Sequence, residues 1–407
     1  MKSISLFTGA GGLDLGLEAA GFEPTICVEL DEDARTTLQL NRPHWRLLEP
    51  GDVHAHRPEG IVEQAGLRSR EAVLLSGGPP CQPFSKAACW VNGKLAGLAD
   101  YRSKTLEAYI GVAEAALPQV LLLENVRGLS RPGNNSALEL LESGIDRINH
   151  RQGTRYRWTI VHANAADYGV PQTRERTYLL ADRDGRIFQL PDKTHSSDPS
   201  DGSLEPYVTA WDAIGDLDTD TWDEALGLRG KWAELLPSVP EGWNYLWHTS
   251  RGGGKPLFGW RTRFWSFLLK LVKGRPSWTL PACPGPATGP FHWRNRLLSQ
   301  RELCRLQTFP ENYAVQGAHT SVRRQIGNAV PPLMGEVMGR EICRQWLSVH
   351  DEPDGTLRFL LSRCGGQPLP YPVQPVAQRY LPLMGNHQSH PGVGKGPGAQ
   401  ARLGHRE

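Results

Sequence analysis

Residues 1–181 alternate short apolar runs with longer stretches of helical spacing, and this alternation narrows the fold more than any other feature of the chain. The apolar runs fall at 3–8, 24–29, 72–76, 119–124, 158–163 and 177–181; helical spacing appears at 13–20, 31–40 and 106–116. Short continuous apolar runs suit strands buried on both faces. Strands joined through helices lie parallel, because a parallel neighbour needs a long crossover. The expectation is an α/β domain with a mainly parallel sheet covered on both faces. Ligands bind such sheets beyond the carboxyl ends of the strands. The α/β character returns over 297–348, where 299–306 and 330–347 read as helices.

Charge divides the rest. The 407 residues carry 45 Lys+Arg against 43 Asp+Glu, a net charge of +2. This balance excludes a histone-like polycation, yet the charge is segregated. Residues 182–224 hold 12 acidic and 3 basic side chains, whereas 229–278 hold 9 basic and 2 acidic. Nine of the 13 Trp lie between Trp211 and Trp293. A basic, aromatic, Gly-rich segment after an α/β domain reads as a second, less regular domain that meets an acidic polymer. Most of its Trp residues are expected to form that domain's own core. The expected boundaries are 1–184, 185–296, a return to the first domain over 297–348, and an extension over 349–407. The last 43 residues contain 8 Gly and 7 Pro, so disorder is expected from about 365. No apolar run approaches the ~20 residues of a membrane span. The N-terminus lacks a signal peptide's pattern, and the seven Cys include no CxxC pair. A cytoplasmic, reducing setting follows, without a disulfide framework, metal or membrane partner.

Four motifs carry chemistry. Phe7-Thr8-Gly9-Ala10-Gly11-Gly12 joins the first strand to the first helix, where glycines let the backbone approach a ligand. Glu29 ends the second strand, where a carboxylate can accept from ribose hydroxyls, and Asp52 can hold an adenine amino group. Alone, this loop does not separate NAD from other adenosyl ligands. Gly77-Gly78-Pro79-Pro80-Cys81-Gln82-Pro83-Phe84-Ser85 follows a buried strand and holds Cys81 at the tip of a rigid loop, poor core material and good nucleophile support. Glu124 closes another strand, where lost solvation raises a carboxyl's pKa and suits it to carry a proton. Gln172, Arg174 and Arg176 alternate, so in an extended segment they share a face and offer donors to phosphate or base oxygens.

Taken together and in order, these motifs resemble the DNA (cytosine-5) methyltransferases of prokaryotic restriction–modification type. The resemblance rests on FTGAGGLDLGLEAAGF from Phe7, GGPPCQPFS from Gly77, ENV from Glu124, QTRER from Gln172, RELCRLQTFPENY from Arg301 and RQIGNAVPP from Arg324. It implies a Rossmann-like fold that uses S-adenosylmethionine (SAM), with a target recognition domain between QTRER and RELCRLQTFP. It implies Cys81 as nucleophile, Glu124 on the cytosine ring nitrogen and amino group, and Arg176 with Arg174 holding a flipped base. The implied SAM contacts are Phe7, Gly9, Gly11, Gly12, Leu13, Glu29, Asp52, Val53, Pro79, Leu106, Asn328 and Val330. DNA is expected at Gln82, Ser85, Gln172, Arg251, Lys255, Arg261 and Arg263, with Lys231, Lys270, Lys273 and Arg275 as further phosphate candidates. A monomer acting on duplex DNA beside a cognate endonuclease is the expected arrangement. The rivals are an RNA (tRNA) cytosine-5 methyltransferase, disfavoured by the large recognition segment, and a non-catalytic SAM-retaining DNA-binding module, disfavoured by intact Cys81, Glu124 and Arg176. An NAD-dependent oxidoreductase leaves the Cys81 loop unexplained.

Overall fold

The computed structural model describes residues 1–79, 104–126, 135–200, 202–259, 264–348, 356–366, 368–385 and 387. Six strands form the main sheet: β1 (Lys2–Leu6), β2 (Glu23–Val28), β3 (Leu74–Gly77), β4 (Val120–Val126), β5 (Thr159–Asn164) and β6 (Glu175–Asp182). Their order is β2-β1-β3-β4-β6-β5. The first four pair in parallel, and β6 runs antiparallel to both β4 and β5. The mainly parallel α/β expectation therefore holds. The central strands are buried almost throughout, which is why their sequences read as continuous apolar runs rather than alternations.

The helices are α1 (Gly12–Ala19), α2 (Glu32–Asn41), α3 (Pro58–Gln64), α4 (Lys104–Ala116), α5 (Asn135–Gln152), α6 (Ala210–Ile214), α7 (Gln300–Leu306), α8 (His319–Asn328) and α9 (Pro332–Ile342). Four were not expected: α3, α5, α6 and α8. Helix α3 is short and begins with Pro58 at its first turn. Helix α5 carries a visible signal, Ala137, Leu141, Ile145 and Ile148 on one buried stripe. α1 and α9 meet at backbone distance: a Cβ on Gly16 would lie 2.2 Å from the Pro332 carbonyl. Only glycine permits that approach, which brings the far end of the chain against the first helix.

The chain divides into two compact units. Unit 1 comprises Met1–Leu217, Arg275–Cys283 and Gln300–Gly365; unit 2 comprises Asp218–Gly274, Pro284–Ser299 and Gly366–Glu407. This division departs from boundaries drawn on charge. The acidic stretch up to 217 belongs to unit 1, because its acids find partners there: Asp216 pairs with Arg305, and Asp212 closes a capping box with Thr209 at the start of α6. The pair Ser277–Trp278 likewise joins unit 1, in parallel with Gln172–Thr173.

Unit 2 has its own core of Leu235, Tyr245, Phe258, Phe267, Phe291 and neighbours. Trp232 contacts Phe258 and Phe267 with ring centroids 5.5 Å apart. Expected disorder from about 365 is corrected for the described part of the tail. Tyr380 stacks on Trp232 at 5.9 Å, and its hydroxyl donates to the Lys231 carbonyl at 2.7 Å. The Gln374 N–H donates to the Pro237 carbonyl at 3.0 Å. A count of Gly and Pro missed this because one aromatic anchor on an aromatic face is enough to dock a short segment. No helix among the described residues is long and apolar enough to cross a membrane.

Candidate functional site

A cavity of about 610 Å³ opens at the carboxyl ends of β1–β4, within the size range of cofactor sites. Phe7, Gly9, Gly12, Leu13, Glu29, Asp52, Val53, Pro79, Asn328 and Val330 line it, together with Glu124 and Arg176. Residues scattered over the whole of unit 1 are thus gathered at one place. The β1–α1 loop is held in an uncommon backbone shape, with φ of 57° at Phe7 and 58° at Gly9. A non-glycine residue at positive φ is strained, and such strain concentrates at functional sites. The Gly9 N–H donates to Glu29 Oε2 at 2.6 Å, and the Asp31 N–H donates to Glu29 Oε1 at 2.8 Å. Burial pushes the Glu29 carboxyl up, and these two backbone donors pull it back. Asp52 caps a short turn by accepting the His54 N–H at 2.9 Å.

At the other end of the cavity, Arg176 Nε lies 3.0 Å from Glu124 Oε1. The two residues sit on neighbouring strands, with Glu124 opposite Tyr178 and Val126 opposite Arg176. Burial pushes the Glu124 carboxyl above its usual range, while Arg176 and, more weakly, Arg174 favour the ionised form. A Cβ on Gly78 would stand 3.6 Å from Glu124 Oε2. Asn125 Nδ2 donates to the Pro79 carbonyl at 3.3 Å. The stem of the Cys81 loop is therefore fastened beside Glu124. Cys81, Gln82 and Ser85 themselves lie outside the described residues, as do Arg261 and Arg263.

Several assigned residues stand elsewhere. Gln172 is fully buried; its amide donates to the Leu306 carbonyl at 3.2 Å and to Gln307 Oε1 at 2.9 Å, and it accepts the Leu280 N–H at 3.3 Å. It offers nothing to DNA. Arg174 is also buried, and its Nη2 donates to the carbonyls of Gly327 at 3.0 Å and Ala329 at 2.7 Å. Alternation puts Gln172 and Arg174 on one face, but that face turns inward, towards the end of α8. Arg174 is a positioning residue for the Asn328–Val330 wall. Leu106 packs in the core, and its neighbour Thr105 lines the cavity instead. Gly11 begins α1 at φ 78°, and a Cβ there would press on Leu38 and Trp45. The cavity also includes Asp14, Asp31, Arg324 and Gln325, none of them assigned from the motifs. Asp14 had a readable signal, an acid set between Leu13, Leu15 and Leu17 on a helix whose other acid, Glu18, comes a full turn later.

The lining favours one class of cofactor. Among the described residues it carries the carboxyls of Asp14, Glu29, Asp31, Glu32, Asp52 and Glu124 against the guanidiniums of Arg176 and Arg324. Carboxylates accept from hydroxyls and amines and repel a pyrophosphate. An adenosyl group bearing a positive charge fits this donor set; a dinucleotide fits poorly.

Within unit 2, Arg251, Lys255 and Lys231 are exposed. Arg251 and Lys255 flank Gly252–Gly254, which folds over Trp247: a Cβ on Gly253 would lie 2.8 Å from its ring. Lys270 and Lys273 are buried, at 2% and 6% exposure, which removes both from any phosphate contact. Lys273 pairs with Glu241 at 3.3 Å, and burial pushes the Lys270 ammonium down to about 7. Arg275 is exposed and belongs to unit 1.

Comparison with known proteins bears on this geometry. A family model described as C-5 cytosine-specific DNA methylase matches residues 1–344. Type II methyltransferase M.SacI of Streptomyces achromogenes is 36% identical over 369 residues, covering 84% of this chain and 92% of that protein. Type II methyltransferase M.NgoMIV of Neisseria gonorrhoeae is 31% identical over 354 residues, covering 84% and 97%. The solved structure of Spodoptera frugiperda DNMT2 aligns with a TM-score of 0.58 over 84% of this chain and 99% of that one. At 16% identity it speaks for the fold alone.

Proposed function

This chain belongs to the C-5 cytosine-specific DNA methylase family, and from that membership we propose that its cavity takes SAM and that Cys81 adds covalently to a cytosine turned out of the duplex. The protein is a DNA cytosine-5 methyltransferase of the Type II restriction–modification kind. The observation that carries the finer reading is the buried Glu124–Arg176 pair beside the stem of the Cys81 loop, at one end of an adenosyl-compatible cavity.

Bound in that cavity, SAM supplies an electrophilic methyl group. The adenosyl end suits Glu29 and Asp52, whose carboxylates accept from hydroxyls and amines, while Phe7, Leu13, Val53 and Val330 cover apolar surface. Carbon 5 of cytosine is a weak nucleophile. The Cys81 thiolate forms a bond to carbon 6, and the ring's displaced electron density gathers on nitrogen 3 and carbon 5. Cysteine serves here because a thiol yields appreciable anion near neutrality and serine does not. Glu124, whose carboxyl burial pushes above its usual range, donates its proton to nitrogen 3 as charge develops. Arg176 holds the carboxyl in place and is within reach of the base. After carbon 5 is methylated, its proton leaves to a base, the sulfur–carbon bond breaks as the carbon 5–carbon 6 double bond re-forms, the nitrogen 3 proton returns to Glu124 and Cys81 departs as thiolate. A stacked base cannot meet these groups, so the target nucleotide is extruded. Exposed Arg251 and Lys255 of unit 2 contact phosphate. The product protects DNA against an endonuclease of the same site.

The test is methyl transfer from labelled SAM to unmethylated duplex DNA and to tRNA, with Cys81→Ala as control. Label at carbon 5 of DNA cytosine, abolished in Cys81→Ala while SAM still binds, is the expected outcome. Label only in tRNA, or label that survives Cys81→Ala, would overturn the reading.

A further inference from the structure

Asp14 is a buried carboxyl in the cavity wall that the chemistry above leaves idle. It sits in the first turn of α1, 2% exposed, between the lining residues Leu13 and Gly12 and the end of β3. Ser76 Oγ donates to its Oδ1 at 3.3 Å. The other groups that face it are the Ser5 hydroxyl from β1, the Glu18 carboxyl from its own helix, the Cys27 thiol from β2 and the Tyr313 hydroxyl. That tyrosine is already donating to the Ala10 carbonyl at 2.7 Å. None of these groups is a cation, and among the described residues Asp14 has no ion-pair partner. The Ser5 and Ser76 hydroxyls and its own backbone N–H offset only part of the hydration that an ionised carboxylate loses in such a place. Burial accordingly pushes the Asp14 carboxyl up to about 7. Among the described residues no cation stands against Asp14 to repair this, but the cofactor class that fits the cavity carries one.

We infer that Asp14 is the counter-anion for a positive charge on the bound cofactor, either the sulfonium or the ammonium of its methionine end. The inference rests on the SAM reading. It makes the ligand-free protein bear the cost of a lone buried charge. A carboxyl whose folded pKa lies above its unfolded value loses stability as pH rises between the two. Neutral Asp14→Asn is therefore expected to melt higher than wild type at pH 8 without ligand, with the gain shrinking at pH 5. A side chain serving only as a structural hydrogen-bond acceptor predicts the reverse.

The experiment is calorimetric binding of SAM and of S-adenosylhomocysteine to the full chain, as wild type, Asp14→Asn and Ser76→Ala. Wild type should bind SAM about tenfold more weakly at pH 6 than at pH 8, as a group titrating near 7 requires. Asp14→Asn should bind SAM about tenfold more weakly at pH 8 and lose that extra pH dependence. Loss for SAM alone assigns the sulfonium; equal loss for both ligands assigns the ammonium. Ser76→Ala, which keeps the charge, should retain the pH dependence. Asp14→Ser, smaller and also neutral, repeats the test if asparagine is not accommodated. Wild-type affinity and pH dependence in both neutral variants would overturn the inference, as would loss of the pH dependence in Ser76→Ala. A wild-type chain that binds no SAM would instead defeat the cofactor reading itself.

Discussion

Two buried ion pairs, one in each unit, differ in what surrounds them. Arg176–Glu124 spans 3.0 Å with side chains 14% and 9% exposed; Lys273–Glu241 spans 3.3 Å at 8% and 6%. Glu241 also accepts the N–H of Tyr371 at 2.6 Å, and Lys273 donates to the Leu369 carbonyl at 2.6 Å beneath the Trp293 ring. That pair is saturated by its own chain and ties the 368–385 segment to unit 2. Glu124 and Arg176 open instead on the cavity. Burial and charge alone therefore do not mark a site. The mark is a buried charge with bonding capacity left for a ligand.

The sharpest way to break this contrast is to neutralise each glutamate in turn. Glu124→Gln should lower kcat by about 10²- to 10⁴-fold with SAM affinity unchanged, the range expected for a lost general acid. Its pH profile should change too. Burial raises the Glu124 carboxyl, so the protonated form persists to higher pH than for a free glutamate, and the wild-type rate falls on the alkaline side as that proton is lost. The variant should lack this limb. Glu241→Gln should leave kcat of the folded protein unaltered and cost about 3 kcal/mol of stability, since it strands a buried lysine. Denaturant melts and single-turnover rates on the same preparations decide. Equal kinetic loss in both variants would erase the distinction.

Arginines sharpen it next. Arg174→Lys removes a guanidinium that spans the carbonyls of Gly327 and Ala329. It should weaken SAM binding and cost about 2 kcal/mol, the scale of hydrogen bonds lost from a charged donor. At saturating SAM its kcat should stay near wild type. Arg176→Lys should lower kcat at saturating SAM. A kcat loss in Arg174→Lys would return that residue to the chemistry.

The smallest effects concern unit 2. Arg251→Ala with Lys255→Ala should flatten the salt dependence of DNA binding by up to about two in log–log slope. Lys270→Met should leave that slope alone and raise the melting temperature by a few degrees. Unfolded lysine holds its proton to about 10.4, whereas buried Lys270 gives it up near 7. Stability therefore rises with pH between those values, and the gain from methionine should be largest at pH 7 and fade towards pH 10. A Lys270→Met protein with weakened, salt-flattened binding would put Lys270 back at the interface.

The parallel strands, the glycine loop, the strand-end carboxylates and the family were all legible in the residue order, because period and spacing are local properties that packing on both sides of a sheet reinforces. The same order also showed two oppositely charged segments. Which members of those patterns face a ligand depends on long-range packing. Gln172, Arg174 and Arg176 alternate identically in the chain, yet two turn into the wall and one into the cavity. The reason is the return of α8 and α9 from more than 150 residues away: carbonyls at the end of α8 capture Arg174, 153 residues earlier, and the close approach of α9 to α1 closes the cavity around Asp14. Lys270, Lys273 and Tyr380 make the same point in unit 2. Composition counts a cation or a tail, while burial, which depends on residues far off in the chain, decides whether that group meets solvent or the protein's own core.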